Sequence, residues 1–197
     1  MDKPTILNVC GGKIFPDRSK YNSSFLLNID QMYFINNPIS DILSCHNNFL
    51  HNKRDNYTFF LNHDIYDFLE RYELKFDLVL IYRFMEHVPL SKLLYFIYLL
   101  STVVEKNGKV DIIVPDASNL AKRILEEKVN SKNFQAEDII TTTEMLNEPP
   151  NPHSSLWTIQ RAKYYFELEG RFVVDNFETP FEFDGRNIYL KFIARRV

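Results

Sequence analysis

Apolar residues run along this chain in two rhythms. Short dense runs at residues 5–10 (TILNVC), 24–30 (SFLLNID), 57–61 (YTFFL), 76–82 (FDLVLIY) and 110–114 (VDIIV) have the length and β-branched or aromatic content of buried strands. The run 76–82 is almost uninterrupted, as a central parallel strand covered on both faces requires. Between these runs the apolar positions recur at helical spacing. Ser40 caps a segment reaching Asn52, with Ile42, Leu43, Cys45 or His46, Phe49 and Leu50 as its stripe. Residues 64–72 predict a short helix with an acidic first turn, and residues 91–105 a longer one striped by Leu93, Phe96, Ile97, Leu100, Val103 and Val104. Asn107-Gly108 supplies its stop.

The second half continues the alternation and then changes character. Residues 116–130 and 134–147 predict helices, the proline-rich EPPNPHSS at 148–155 a stiff loop, and Thr158 the cap of a last helix ending at Gly170. Two strands follow, 171–178 and 186–195, separated by TPFEFDG as a hairpin-like pair. Residues 13–23 contain Pro16 and a polar cluster, so a loop or a single helical turn is expected there. Alternating strands and helices closed by a hairpin predict an α/β fold: a doubly wound sheet, mostly parallel, with an antiparallel C-terminal strand. A chain of 197 residues supports one domain over 1–197, with a helical insertion at about 117–147 and a His/Trp loop at 148–158.

Composition and charge mainly exclude. Nothing at the start resembles a secretory segment, and the richest apolar stretch, 93–104, is broken by Ser101 and Thr102 and too short to span a bilayer, so a cytoplasmic chain with no membrane partner is expected. Two cysteines form no disulfide framework. Cys45, His46 and His51 share one predicted helix without a fourth ligand, so no metal is expected. A net charge of −3 with scattered basic residues argues against a nucleic-acid partner. Glycine is scarce, five in all, which makes the adjacent pair Gly11 and Gly12 a marker.

In doubly wound sheets ligands bind beyond the carboxyl ends of the strands. Those ends collect Asn8, Cys10, Gly11 and Gly12 after the first strand, Asp30 after the second, Asp64 after the third, and Tyr82, Arg83, Glu86 and His87 after the fourth. Glycines there admit close backbone approach. An acid ending the second strand suits ribose hydroxyls, and Asp64 is placed to accept from an adenine amino group with Ile65 against the ring. A dinucleotide would want a third glycine and a helix opening at once, which Lys13-Ile14-Phe15-Pro16 does not supply. A nicotinamide-dependent oxidoreductase is therefore poorly supported. A nucleoside without phosphates fits better.

These residues bring out a resemblance. ILNVCGGK, LLNID, LNHDIYDF and above all FDLVLIYRFMEHVPLSKLLYFIYLLSTVVEKNGKVDIIVPD resemble the motifs of class I S-adenosylmethionine-dependent methyltransferases, of the small Rossmann-like type. The resemblance covers most of the chain. It implies a seven-stranded sheet with the last strand antiparallel, S-adenosylmethionine as cofactor, and methyl transfer to an acceptor that the sequence does not name. By the same resemblance Asn8, Cys10, Gly11 and Gly12 line the methionine part, Asp30 the ribose, and Asp64 and Ile65 the adenine. Tyr82, Arg83 and His87 then face the methyl donor. Asn8 stands where the family usually has an acid, and Cys10 where it has its first glycine.

Each signal also has a plainer meaning. The glycines make a turn, Asp30 and Asp64 cap helices, and Glu86 is a structural hydrogen-bond acceptor or ion-pair partner beside a satisfied His87. His87 and His153 are the candidate catalytic residues, His87 as a general base titrating near neutrality. Trp157, the only tryptophan, is either a core anchor or a substrate contact. The substitutions at Asn8 and Cys10 motivate a rival class, a non-catalytic binding or assembly module that keeps the fold.

Overall fold

The computed structural model describes residues 4–9, 25–31, 36–52, 56–127, 154–183 and 185–197. Cys10, Gly11, Gly12 and His153, the crossover at 13–23 and the helix expected at 134–147 lie outside the described residues. The strands are β1 (Thr5–Val9), β2 (Phe25–Ile29), β3 (Tyr57–Leu61), β4 (Phe76–Tyr82), β5 (Val104–Pro115), β6 (Phe172–Phe183) and β7 (Arg186–Arg196). The helices are α1 (Ile39–Asn52), α2 (Ile65–Arg71), α3 (Leu90–Val103), α4 (Ala117–Glu127) and α5 (Ile159–Glu167), and Met85–His87 forms a single 3-10 turn. All seven strands join one sheet in the order β3-β2-β1-β4-β5-β7-β6. Pairs from β3 through β5 are parallel, and β7 lies antiparallel between β5 and β6. This is the Rossmann-like, mostly parallel sheet with an antiparallel C-terminal strand that the alternation predicts.

Burial follows from the period of two along each strand. Leu7, Val9, Phe25, Leu27, Ile29, Val79, Ile81, Val110, Ile112 and Phe192 face one large core, which also holds the buried residues of α1, α2, α3 and α5. The opposite face carries the smaller cluster of Ile6, Leu26 and Leu80, flanked by Leu78 and Tyr82. Every residue of β1 and β2 is buried. The Asp77 carboxylate accepts from the Thr5 N–H at 2.8 Å, and Thr5 Oγ1 accepts from the Asp77 N–H at 2.9 Å, locking the β1–β4 register at the strand starts. Among the described residues no helix is long and apolar enough to cross a membrane.

Two boundaries differ from expectation. Asn107-Gly108 does not stop α3. The helix ends at Val103, where a β-branched pair turns directly into β5, and the Asn-Gly step sits inside that strand. There the β4–β5 register jumps from Phe76↔Val104 to Leu78↔Lys109. Asn107 has φ +64, and a Cβ on Gly108 would lie 2.8 Å from the Glu105 carbonyl oxygen, so the kink admits no larger residue. The second difference is that β6 runs through TPFEF to Phe183 instead of ending at 178. Its register shifts on both sides of Thr179-Pro180 let an outer strand absorb a proline. The other sheet edge, β3, is covered by Asn37, whose N–H donates to the Phe60 carbonyl at 2.8 Å and whose Oδ1 accepts the Phe60 N–H at 2.7 Å.

Asp116 joins more elements than any strand contact does. It follows β5, is 4% exposed, and its Oδ1 accepts from the N–H groups of Ser118 (2.9 Å) and Asn119 (3.2 Å), capping α4. Its Oδ2 accepts from the Thr179 hydroxyl of β6, its own N–H donates to Ile188 of β7, and it bridges to Trp157. Asp116→Ala therefore strands a helix start and a buried hydroxyl together. Urea unfolding should show a loss of about 3 kcal/mol, most of it recovered by Asp116→Asn.

His46 of α1 gives a pH signature. It is buried edge-on to Phe25 at 4.9 Å with Nε2 2.9 Å from the Lys75 carbonyl oxygen, and burial holds its pKa below the ordinary 6.5. Well above pH 6.5 the ring is neutral folded and unfolded, so it adds no slope. Below it the unfolded chain gains a proton that the folded chain refuses, and stability falls with pH. Melting points taken between about pH 7 and about pH 5 should fall less in His46→Phe than in the parent.

Candidate functional site at the carboxyl ends of the strands

Alternation turns Asn8 and Asn28 onto the face of the smaller cluster, opposite each other in register and both fully buried. Asn8 Nδ2 donates to Asn28 Oδ1 at 3.0 Å, and Asn28 Nδ2 donates to the Phe59 carbonyl at 3.1 Å. A relay of amides thus crosses from β1 through β2 to β3 just below their carboxyl ends. Asn8, expected to face a ligand, spends an N–H sideways inside the sheet. Asn28 was not singled out from the sequence. Its signal is a polar residue inside the apolar run FLLNI at the position matching Asn8.

Above the relay lie two acids. Asp30 directly follows β2, is 8% exposed, and its N–H donates to the Leu61 carbonyl at 3.1 Å, which draws the ends of β2 and β3 together. Asp64 follows β3 and caps α2, its Oδ1 accepting from Tyr66 N–H at 2.9 Å and Asp67 N–H at 3.1 Å. Its Oδ2 accepts from Gln31 Nε2 at 3.0 Å. Asp30, Gln31 and Asp64 therefore form one polar rim, of which Gln31 went unpredicted although it adjoins Asp30. Ile65 sends its side chain into the large core, 4% exposed, and anchors the rim from below.

The end of β4 is a tight corner. Tyr82 is half-buried, with its ring edge-on to Phe183 at 5.7 Å and its hydroxyl 3.4 Å from Asp111 Oδ2. Arg83 has φ +57, an arrangement that costs a non-glycine residue about 1 kcal/mol, and its N–H extends the ladder to the Ile113 carbonyl at 2.8 Å. The chain then enters the 3-10 turn carrying Glu86 and the half-buried His87. The plain expectation for Glu86 is corrected here. Its side chain is 1% exposed and neither carboxyl oxygen has a hydrogen bond from another residue. Burial pushes its pKa up to about 7, against a smaller downward pull from its own N–H and from Arg83.

The backbone of that turn holds the segment after the expected proline loop. The Glu86 carbonyl accepts from Ser154 N–H (2.7 Å) and Ser155 N–H (3.1 Å). Ser155 Oγ donates to the Met85 carbonyl at 3.2 Å and accepts from Trp157 Nε1 at 3.0 Å. Trp157 is the core anchor: it is fully buried and stacks on Phe192 at 6.1 Å. Thr158 caps α5 as expected, its Oγ1 accepting from Arg161 N–H at 3.1 Å. Beside this strap Leu90, Ala117, Ser154, Leu156, Thr158 and Arg161 line a cleft of about 360 Å³. It opens at the same end of the sheet as the Asp30 rim.

No family model and no curated protein matches the chain. Solved structures do. A S-adenosylmethionine-dependent methyltransferase from Methanosarcina mazei superposes with TM-score 0.56 at 16% identity, over 100% of this chain and 94% of that one. The 1,6-didemethyltoxoflavin-N1-methyltransferase of Burkholderia thailandensis, solved with S-adenosylhomocysteine, gives 0.55 at 11%, over 99% and 72%. An O-methyltransferase family protein of the same organism gives 0.59 at 12%, over 98% of this chain and 50% of that one, so this chain spans half of its length. The fold is the Rossmann-like fold of the class I methyltransferases.

The asparagine relay predicts non-additive energetics. Asn28→Ala leaves a buried Asn8 N–H and the Phe59 carbonyl without their partner and should cost about 2–4 kcal/mol in denaturant unfolding. The Asn8→Ala, Asn28→Ala pair should cost clearly less than the sum of its single changes, because each removes the same bond.

Proposed function

We propose that the carboxyl ends of β1 to β4 bind S-adenosylmethionine and that the chain transfers its methyl group to an acceptor seated beside β4 and the strap. The observation that carries this reading is the convergence of Asp30, Gln31 and Asp64 on one rim, in a sheet with the methyltransferase strand order. The donor set suits an adenosine. Asp30 offers carboxylate oxygens for the ribose hydroxyls at a site with little solvent. Asp64 Oδ2 is held only by the flexible Gln31 amide, which an adenine amino group replaces donor for donor.

When bound, the cofactor supplies an electrophilic methyl on a sulfonium. The chain's own part is placement and exclusion of water, because an in-line displacement gains mostly from proximity and alignment. The left-handed turn at Arg83 redirects the chain at the end of β4, where Tyr82 and Arg83 would face the bound donor. His87, half-buried in the turn that follows, takes the acceptor proton as general base, with His153 immediately before the strap as the second candidate. The cleft beside the strap, with Arg161 on its wall, is the acceptor recess.

One observation favours a second reading. Asn8 replaces an acid and commits an amide N–H to Asn28, which leaves less charge for the cofactor's ammonium group. A non-catalytic module that keeps the fold and binds cofactor weakly is consistent with that. Calorimetric titration with S-adenosylmethionine, S-adenosylhomocysteine and NAD separates the two. The methyltransferase reading expects micromolar binding of the first two, none of NAD, and a loss of about tenfold or more in Asp30→Ala. Absence of binding by the folded chain rejects it in favour of the module.

A further inference from the structure

The carboxyl of Glu86 is the one fully buried acid among the described residues to which no other residue gives a hydrogen bond. Of the other buried acids, Asp116 caps α4 with its carboxylate and Asp30 is tied to the end of β3 through its N–H. A buried orphan carboxyl is tolerated when neutral and costly when charged. Its backbone does the opposite of its side chain. The Met85 and Glu86 carbonyls take three hydrogen bonds from Ser154 and Ser155, and through Ser155 Oγ they reach Trp157. One residue thus combines an unsatisfied side chain with the attachment point of a neighbouring segment.

We propose that Glu86 is a proton-operated latch on the strap of residues 154–158, which walls the cleft beside the candidate site. With its carboxyl protonated, the side chain stays in the core and the 3-10 turn holds the strap shut. When the carboxyl gives its proton to water, the carboxylate draws the turn outward to find solvent, and the carbonyls that hold Ser154 and Ser155 move with it. Arg83, at the end of β4, is too exposed to neutralise the charge fully, being about half-buried and outside hydrogen-bond reach of Glu86. Among the described residues, His87 within the turn, Lys92 in the first turn of α3, Asp116 at the end of β5 and Arg161 on α5 are further ionisable groups on the elements around it. Lys92 lies over the Tyr66 ring, Asp116 is held by α4 and Thr179, and Arg161 is bonded to the Leu156 carbonyl. The strap itself has no ionisable side chain. The direction of the acid's shift agrees: a folded pKa of about 7 against 4.5 removes stability as pH rises through that window.

The sole tryptophan reports on the latch directly, with no cofactor present. The emission of Trp157 and the exchange protection of the Ser154 and Ser155 amides, corrected for intrinsic rates, are followed from about pH 5.5 to about pH 8.5. The expected result is a transition centred near 7, with protection falling by about tenfold or more on the alkaline side. Glu86→Gln and Glu86→Leu, two substitutions of different polarity, should each hold the low-pH signal across the range. His87→Asn should keep the transition. A parent without a transition, a transition that survives both Glu86 variants, or one that His87→Asn abolishes would each overturn the latch.

Discussion

Complete burial of the central parallel strands is the constraint from which the rest of this structure follows. With every residue of β1 and β2 out of water, the only places where polar chemistry can surface are the strand ends. The starts are spent on register, as the Thr5–Asp77 clasp shows. The carboxyl ends are where chain crossovers leave the sheet, so polar side chains there stand beyond the ladder. That is why acids from different strands gather on one rim and why a ligand site belongs there rather than anywhere along the sheet.

The same constraint makes each polar group at that edge serve packing before it serves chemistry. Asp64 caps α2 with one oxygen and keeps the other for the rim. Asn8 Nδ2 satisfies Asn28 Oδ1 and Asn28 Nδ2 satisfies a backbone carbonyl, because a buried group without its partner costs more than the bond returns. Asp116 shows the far end of this economy, with its oxygens joining β5, α4 and β6 and its backbone reaching β7. Glu86 is the exception. Its neutral form is the state that packing prefers, which places an acid of altered proton affinity beside a candidate acceptor cleft.

Much of this was legible in the residues themselves. The dense runs at 57–61 and 76–82 became strands with those bounds, and Thr158 capped its helix, because burial on both faces and side-chain capping leave direct marks in composition. The acids after β2 and β3 were legible as strand-end residues for the same reason. Other features needed partners distant in sequence. Asn107-Gly108 reads as a helix stop until β4 pairs with the segment and turns it into a strand kink. Gln31 looks like any loop residue until α2 presents Asp64 to it. Glu86 reads as an ordinary hydrogen-bonding acid until the turn buries it.

The chain by itself determined the alternation of strands and helices, the antiparallel closing strand and the positions of the polar strand ends, since periodicity and capping are local consequences of side-chain chemistry. Only the tertiary structure decided which of those polar groups meet, which are consumed in satisfying buried amides, and which acid is left without a partner. Those outcomes depend on register and burial, and both are set by residues far apart in sequence whose contacts exist only once the sheet has closed.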